Sequence, residues 1–276
     1  MIKENRNSKD LLLHGIRVPE DPDILGDMIY ELAQERRLAH VKDVKENGQL
    51  APKEANDFIV NYLATKHTYK TEDDELFDKK EILKALRVVV CDELGIDTAQ
   101  VPFYFGTKEN DSVIMHENSA ATTVMGDGFS TDNNGICGLI VMNKQWVKDA
   151  SAIDFIRIVS HEFGHIAQTV LNKKVQSYYN GNMAQSRDRS SPIFKFLWNA
   201  SSAEKDADNY AFAKITHFLS LAAKKGGLNG ALFISRINNT MKKVKSNSQH
   251  AIASLLYSPY QKLMKSKSQS VDRSYQ

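Results

Sequence analysis

Cysteine is nearly absent: among 276 residues only Cys91 and Cys137 carry a thiol. Two thiols cannot build a disulfide framework or a cysteine-rich zinc site, and two free buried thiols are the expectation. Proline (6) and glycine (14) are also few. With 42% hydrophobic and 25% charged residues, that scarcity excludes a fibrous or disordered chain and describes a globular one. Long apolar runs are missing. Near the N-terminus the run is only Leu11 to Leu13, short of the roughly 7–15 residues of a signal-peptide core. No window approaches the ~18 apolar residues of a membrane-spanning helix. Charge of one sign is missing as well: 36 basic against 34 acidic residues leave +2, which predicts no global attraction to nucleic acid or anionic membrane. These absences describe a soluble protein, cytoplasmic or delivered as part of a larger one. They leave enzyme and binding protein equally open.

What is present falls into three stretches. Residues 1–75 read as surface-rich helices. Pro22 and Asp23 open one whose apolar positions Ile24, Leu25, Met28, Ile29 and Leu32 recur at helical spacing. Asn47-Gly48 marks a turn, and a second helix runs from about Lys53 to Lys66. The acidic run Glu72 to Glu75 reads as a solvated linker, with a domain boundary near 75 and one domain over 76–276. A third helix is expected from Asp78, as N-cap, to Leu94, with Gly95 past its end. From Val101 to Met142 the segments VPFYFGT, SVIMHE, ATTVMGDGFS and GICGLIVMN are short and rich in β-branched and aromatic residues. They predict an antiparallel sheet of three or four strands, with the TDNNG turn closing a hairpin. Helices follow, at about 145–172, 192–199, 202–224, 229–245 and 248–265. Strands then helices without βαβ alternation indicate α+β. From Lys225 onward nine basic residues face one acid, Asp272. Ile252, Leu255, Leu256, Tyr260 and Leu263 supply a buried stripe there, so the lysines read as a solvated face.

The chemistry concentrates in SAIDFIRIVSHEFGHIAQTVLN, 151 to 172. Ser151 and Asp154 form a capping pair, so a helix starts just after Ser151. His161 and His165, four residues apart, leave the same face one turn apart. With Glu162 between them they form H-E-x-x-H, two zinc ligands and a glutamate able to polarise zinc-bound water. Neutral imidazole is a good zinc ligand, and the ~6 Å between facing i and i+4 positions suits two vertices of a tetrahedron. Glu162, about 100° round the helix, can act as general base and then general acid without ligating. Gly164 costs about 1 kcal/mol in a helix relative to Ala, a cost accepted where another backbone approaches closely.

A zinc hydrolase needs a third protein ligand. The extended motif H-E-x-x-H-x-x-G-x-x-H fails at Gln168 and Leu171, which excludes the metzincin class. The best candidate is Glu204 in SSAEKDADNYAFAKI, near the start of a helix that Ser201 caps. Asp208, four residues on, shares its face and can accept a hydrogen bond from a ligand histidine's outer N–H, fixing its tautomer. Asp188, Asp206 and His217 are weaker rivals.

His161, Glu162 and His165, followed 39 residues after His165 by Glu204 in E-x-x-x-D, resemble the gluzincin class of zinc metallopeptidases. The segment EKDADNYA (204 to 211) is similar to the third-ligand helix of soluble peptidases that cleave phage-type repressors, and of membrane peptidases with the same motif pair. The absence of membrane segments favours the first. The resemblance covers roughly residues 136–215. It implies a zincin-like fold, one Zn²⁺ on His161, His165 and Glu204, Glu162 as catalytic base, and Asp208 as the orienter of a ligand histidine. It also implies an edge strand just before the motif helix that pairs with extended peptide substrate, a place that GICGLIVMN (135 to 143) fills. A side-chain donor to the oxyanion is expected too, with Tyr178, Tyr179, Tyr210 and His116 as candidates.

Two rival readings stand beside this one. Peptide deformylases share H-E-x-x-H with an upstream cysteine ligand, and Cys137 lies 24 residues before His161. Their glycine-rich glutamine motif is absent, however, and GICGL departs from their E-G-C-x-S pattern. The other rival is a non-catalytic zinc-binding interaction protein, against which Glu162 has no task in a structural site. The architecture resembles a toxin or effector payload, for which an inhibitor or immunity protein is the expected partner. A regulatory peptidase acting on a protein or peptide substrate is the competing account.

Overall fold

The computed structural model describes residues 11–18, 21–64, 72–115, 119–125, 135–171 and 202–225. The chain divides into two compact units, Met1–Leu228 and Asn229–Gln276, and all described residues lie in the first. The helices expected at 192–199, 229–245 and 248–265, and the basic C-terminal stretch, lie outside them.

The described fold is α+β, as the strand-then-helix order implies. It opens on a hairpin, β1 (Leu12–Leu13) and β2 (Ile16–Arg17), where helix was expected. The turn residues explain it: His14 and Gly15 both adopt positive φ, 53° and 76°, the backbone of a tight hairpin turn. Helix α1 (Pro22–Asn47) begins where Asp21 accepts from the Asp23 N–H at 3.0 Å. It ends where Gly48, at φ 78°, returns its N–H to the Val44 carbonyl. Helix α2 (Pro52–Ala64) buries Ile59 and Tyr62 and leaves Phe58 half-buried. Helix α3 (Glu72–Leu94) starts six residues before the expected N-cap Asp78. The acidic run is its first turn rather than a linker, a position where negative residues complement the helix dipole. Residue 75 is therefore helical, and Gly95 closes the helix at φ 66°.

Among the described residues the sheet has three strands, β3 (Phe103–Gly106), β4 (Ala121–Val124) and β5 (Leu139–Asn143), in the order β3-β5-β4. It is mixed rather than antiparallel: β5 pairs antiparallel with β4 but parallel with β3, Phe103 opposite Ile140. The fourth expected strand, SVIMHE, is a turn as far as Met115. Ile114 and Met115 donate their N–H groups back to the Asp111 carbonyl, while the fully buried Asp111 carboxylate holds the N–H groups of His14 and Thr107. These local bonds consume the groups a ladder would need. Strand β5 is central, not the edge, because it pairs with β3 on one side and β4 on the other, and Leu139–Met142 are buried. The edge nearer the motif helix is β4, whose residues are half-buried.

A short helix and a long one then deliver the site. Asn143 caps α4 (Lys144–Asp149) by accepting from Gln145 and Trp146. The fully buried Lys79 terminates α4, donating to the Val147 and Lys148 carbonyls at 2.7 and 2.9 Å while pairing with Glu75. Helix α5 (Ala152–Leu171) follows, with Phe155, Ile156, Val159, Phe163 and Ile166 fully buried. It packs most extensively against helix α6 (Ser202–Lys225) and also touches α3 and β4. Among the described residues no helix is long and apolar enough to cross a membrane.

Candidate metal centre

Helix α5 begins where the sequence places its start. Ser151 Oγ accepts from the Asp154 N–H and donates to the Asp154 carboxylate at 2.7 Å. Two and a half turns on, His161 and His165 stand edge to face, their ring centroids 4.9 Å apart. The crossing with α6 is tight at the residue between them. A Cβ on Gly164 would lie 2.7 Å from Ala207 Cα, so only glycine lets the α6 backbone come this close. That approach brings Glu204, in the first turn of α6, over both histidines.

The three side chains converge. His161 Nε2 lies 3.3 Å from one Glu204 oxygen and His165 Nε2 lies 3.5 Å from the other. One ligand atom from each of the three groups falls within 4.8 Å of the others, and His165 and Glu204 are buried. The outer ring nitrogens settle the proton positions. His161 Nδ1 lies 2.9 Å from the Asp208 carboxylate, an acceptor, so it carries the hydrogen. His165 Nδ1 lies 3.1 Å from the side-chain oxygen of Gln168, whose NH₂ donates to the Ala203 carbonyl. A carbonyl only accepts, so the amide orientation follows and His165 Nδ1 carries the hydrogen. In the neutral rings both Nε2 lone pairs then face a carboxylate.

Three electron-pair donors facing one another in a buried site call for a cation among them. One occupant is a proton. Burial alone would lower the His161 pKa, but hydrogen bonds to Asp208 and Glu204, and the charges of Glu204 and Glu162, hold it well above 6.5. The other is a metal ion, and the donor set fits zinc. Two ligands each roughly 2.1 Å from a tetrahedral ion stand about 3.4 Å apart, which is the spacing found between each Nε2 and the Glu204 carboxylate.

Glu162 stands beside this trio without joining it. It is buried, and its Oε2 accepts from the Thr123 hydroxyl of β4 at 2.6 Å. The other sequence candidates separate cleanly. Asp208 lies against His161 Nδ1 at 2.9 Å. Asp206 and His217 are exposed on α6. Tyr210 turns toward α3, its hydroxyl 3.4 Å from Glu93, which also pairs with Lys214. Partial desolvation first, and the Glu93 carboxylate second, raise its phenol pKa well above the usual range. It is not placed to stabilise an oxyanion at the trio. His116, Tyr178, Tyr179 and Asp188 lie outside the described residues.

Cys137 is a free buried thiol, as is Cys91, and burial pushes its pKa up to about 11. A zinc-ligating cysteine is a thiolate, and Cys137 does not belong to the converging group. Sequence reasoning missed Thr123 and Gln168. Gln168 had a signal, since i+3 from His165 places it on the same helix face; Thr123 had none, being 39 residues away in the chain. No protein-family model, curated protein or solved structure matches the chain.

Proposed function

We propose that the chain is a zinc-dependent peptidase of the gluzincin type, with a zincin-like arrangement of α5, α6 and the three-stranded sheet. The observation that carries this reading is the convergence of His161, His165 and Glu204, with each histidine's outer N–H already engaged and a non-ligating Glu162 beside them. His161, His165 and Glu204 would hold the ion. When bound, zinc supplies a Lewis acid that polarises a carbonyl and lowers the pKa of water to ≈ 7.

The chain's own groups do the rest. Glu162 has one carboxylate oxygen occupied by the Thr123 hydroxyl, which leaves Oε1 to take the proton of the attacking water and return it to the leaving amine. Asp208 holds the His161 ring with its lone pair inward and raises its basicity as a ligand. Extended substrate pairs along β4, the outermost strand on that side among the described residues, so backbone hydrogen bonds give affinity and side-chain pockets give specificity. The substrate is a specific protein or peptide, as suits a toxin, an effector or a regulatory peptidase. An inhibitor or immunity protein is the partner expected of the first two.

Metal analysis joined to peptide-library cleavage tests the reading. Wild type should hold one zinc ion and cleave. Glu162→Gln should keep zinc and fold while losing at least about 10²-fold in rate, the share of a general acid–base. Glu204→Ala should lose the ion. Full zinc occupancy in Glu204→Ala would overturn the ligand set, and undiminished cleavage by Glu162→Gln would overturn the catalytic role.

A further inference from the structure

The two histidines of the centre are held from behind by different chemistry. His161 meets a carboxylate, Asp208, which supplies the familiar acid–imidazole support of a metal site. His165 meets a neutral amide that is itself engaged at its other end. Gln168 Oε1 accepts from His165 Nδ1–H at 3.1 Å, and Gln168 Nε2 donates to the Ala203 carbonyl at 2.5 Å. Ala203 is buried in the first turn of α6 and is bonded directly to Glu204. One side chain thus reaches from the back of one ligand to the peptide unit that carries another.

We propose that Gln168 is a positioning residue that couples two ligands of the metal centre, fixing the Nε2 lone pair of His165 inward while tying the Glu204 turn of α6 to α5. The inference rests on the reading of the trio as a metal site. The chemistry requires an amide. A ring N–H must be accepted at one end and a backbone carbonyl donated to at the other, and only an Asn or Gln side chain offers an acceptor and an NH₂ together. Asparagine is one methylene shorter and cannot span both groups. Glutamate would keep the acceptor for His165 but set an oxygen against the Ala203 carbonyl. Methionine would fill the space and make neither bond.

This division has a consequence for the ion. A carboxylate partner raises the basicity of its imidazole, whereas an amide fixes the ring without adding charge. His161 is therefore the electronically strengthened ligand, and His165 the geometrically fixed one. The amide's second bond means that a disturbance at His165 is felt at Glu204, and both ligands loosen together when it is broken.

Zinc affinity of the full metal-free chain, measured by competition with a chromophoric chelator, tests this without reference to catalysis. Gln168→Met and Gln168→Glu should each bind zinc about 10- to 100-fold more weakly than wild type. Cobalt(II) spectra should show altered d–d bands in both, and urea midpoints of the metal-free proteins should stay close to wild type. Affinity at or above wild type in Gln168→Glu would mean that the contact and charge at His165 outweigh the bond to Ala203, and would overturn the coupling. Wild-type affinity in Gln168→Met would overturn the role altogether. Wild type that takes up no zinc would overturn the metal site itself, which separates that failure from this one. If Gln168→Met does not fold, the wild-type protein still decides: long-range ¹H–¹⁵N spectra should show the Nδ1–H tautomer of His165 in the zinc-loaded chain, and an Nε2–H tautomer refutes the relay.

Discussion

Single residues in this protein are decided by what stands behind them. His40 is the clearest case outside the candidate metal centre. Its Nδ1 accepts from Arg87 at 2.6 Å, its Nε2 donates to Thr98 at 2.9 Å, and Thr98 passes its own hydrogen to Gln49 at 2.7 Å. The chain of donors works only for a neutral ring. Burial first, and the Arg87 charge second, lower the His40 pKa to about 4. The sign follows from linkage: the unfolded chain binds this proton near pH 6.5, before the native protein does. The stability that neutral His40 contributes is thus complete above about pH 6.5 and declines as pH falls toward about 4. Denaturation midpoints followed from pH 7 to 4 should fall less steeply in His40→Gln, which can accept and donate but does not titrate. Parallel slopes would refute the assignment. At the same scale, His161 and His165 differ from an ordinary surface pair because each outer N–H is spoken for and both Nε2 atoms face Glu204.

Elements meet at one crossing that matters above the others. The α5–α6 contact is tight at Gly164 against Ala207, so the helix that carries His161 and His165 and the helix that carries Glu204 are locked together beside the trio. Gly164→Ala should gain up to about 1 kcal/mol of helix propensity. It should lose more by forcing a Cβ to 2.7 Å from Ala207 Cα, an overpacking cost of roughly 1–3 kcal/mol. A lower urea midpoint together with weaker zinc retention is the expected outcome. A stabilised variant with unchanged zinc would show that the helices separate freely, against the tight crossing. Gly138 has a similar part at the sheet, where a Cβ would meet the Ile166 side chain at 2.8 Å and the Val124 carbonyl at 3.2 Å. Strand β5 therefore reaches both β4 and α5 only with glycine at its approach.

For the molecule as a whole, a cation in the site and the folded state are linked, because the unfolded chain holds no such trio. Zinc at about 100 times its Kd should raise stability by roughly 2.7 kcal/mol, seen as a rise in thermal midpoint that His165→Ala lacks. A proton competes for the same place. Protonated His161, its pKa raised well above 6.5 in the metal-free fold, contributes stability that is complete below about pH 6.5 and is lost as pH rises through the raised value. The zinc-dependent rise should accordingly grow with pH, and thermal scans with and without zinc across pH 6 to 8 measure it. A rise independent of pH would mean that the ion does not displace that proton.

The sequence by itself determined whatever depends on local period and caps. Four-residue spacing put His161 and His165 on one face, Ser151 started α5, and Gly48 and Gly95 ended their helices, because such features act within a turn or two of backbone. The pairing of Glu204 with Asp208 on one face was legible for the same reason. Strand order was not. The run Leu139–Met142 reads as a buried strand, but whether it lies at the edge or the centre depends on a parallel partner 37 residues away, Phe103 opposite Ile140. Sequence spacing ranked Glu204 ahead of Asp206 and His217, but only the packing of α6 on α5 brings its carboxylate onto the two histidines and leaves Cys137 outside the group. Tertiary structure likewise placed the Thr123 hydroxyl on Glu162 and the Gln168 amide between His165 and Ala203. Those contacts join residues that no periodicity relates, and only the burial of two helices against each other and a strand brings them within a hydrogen bond.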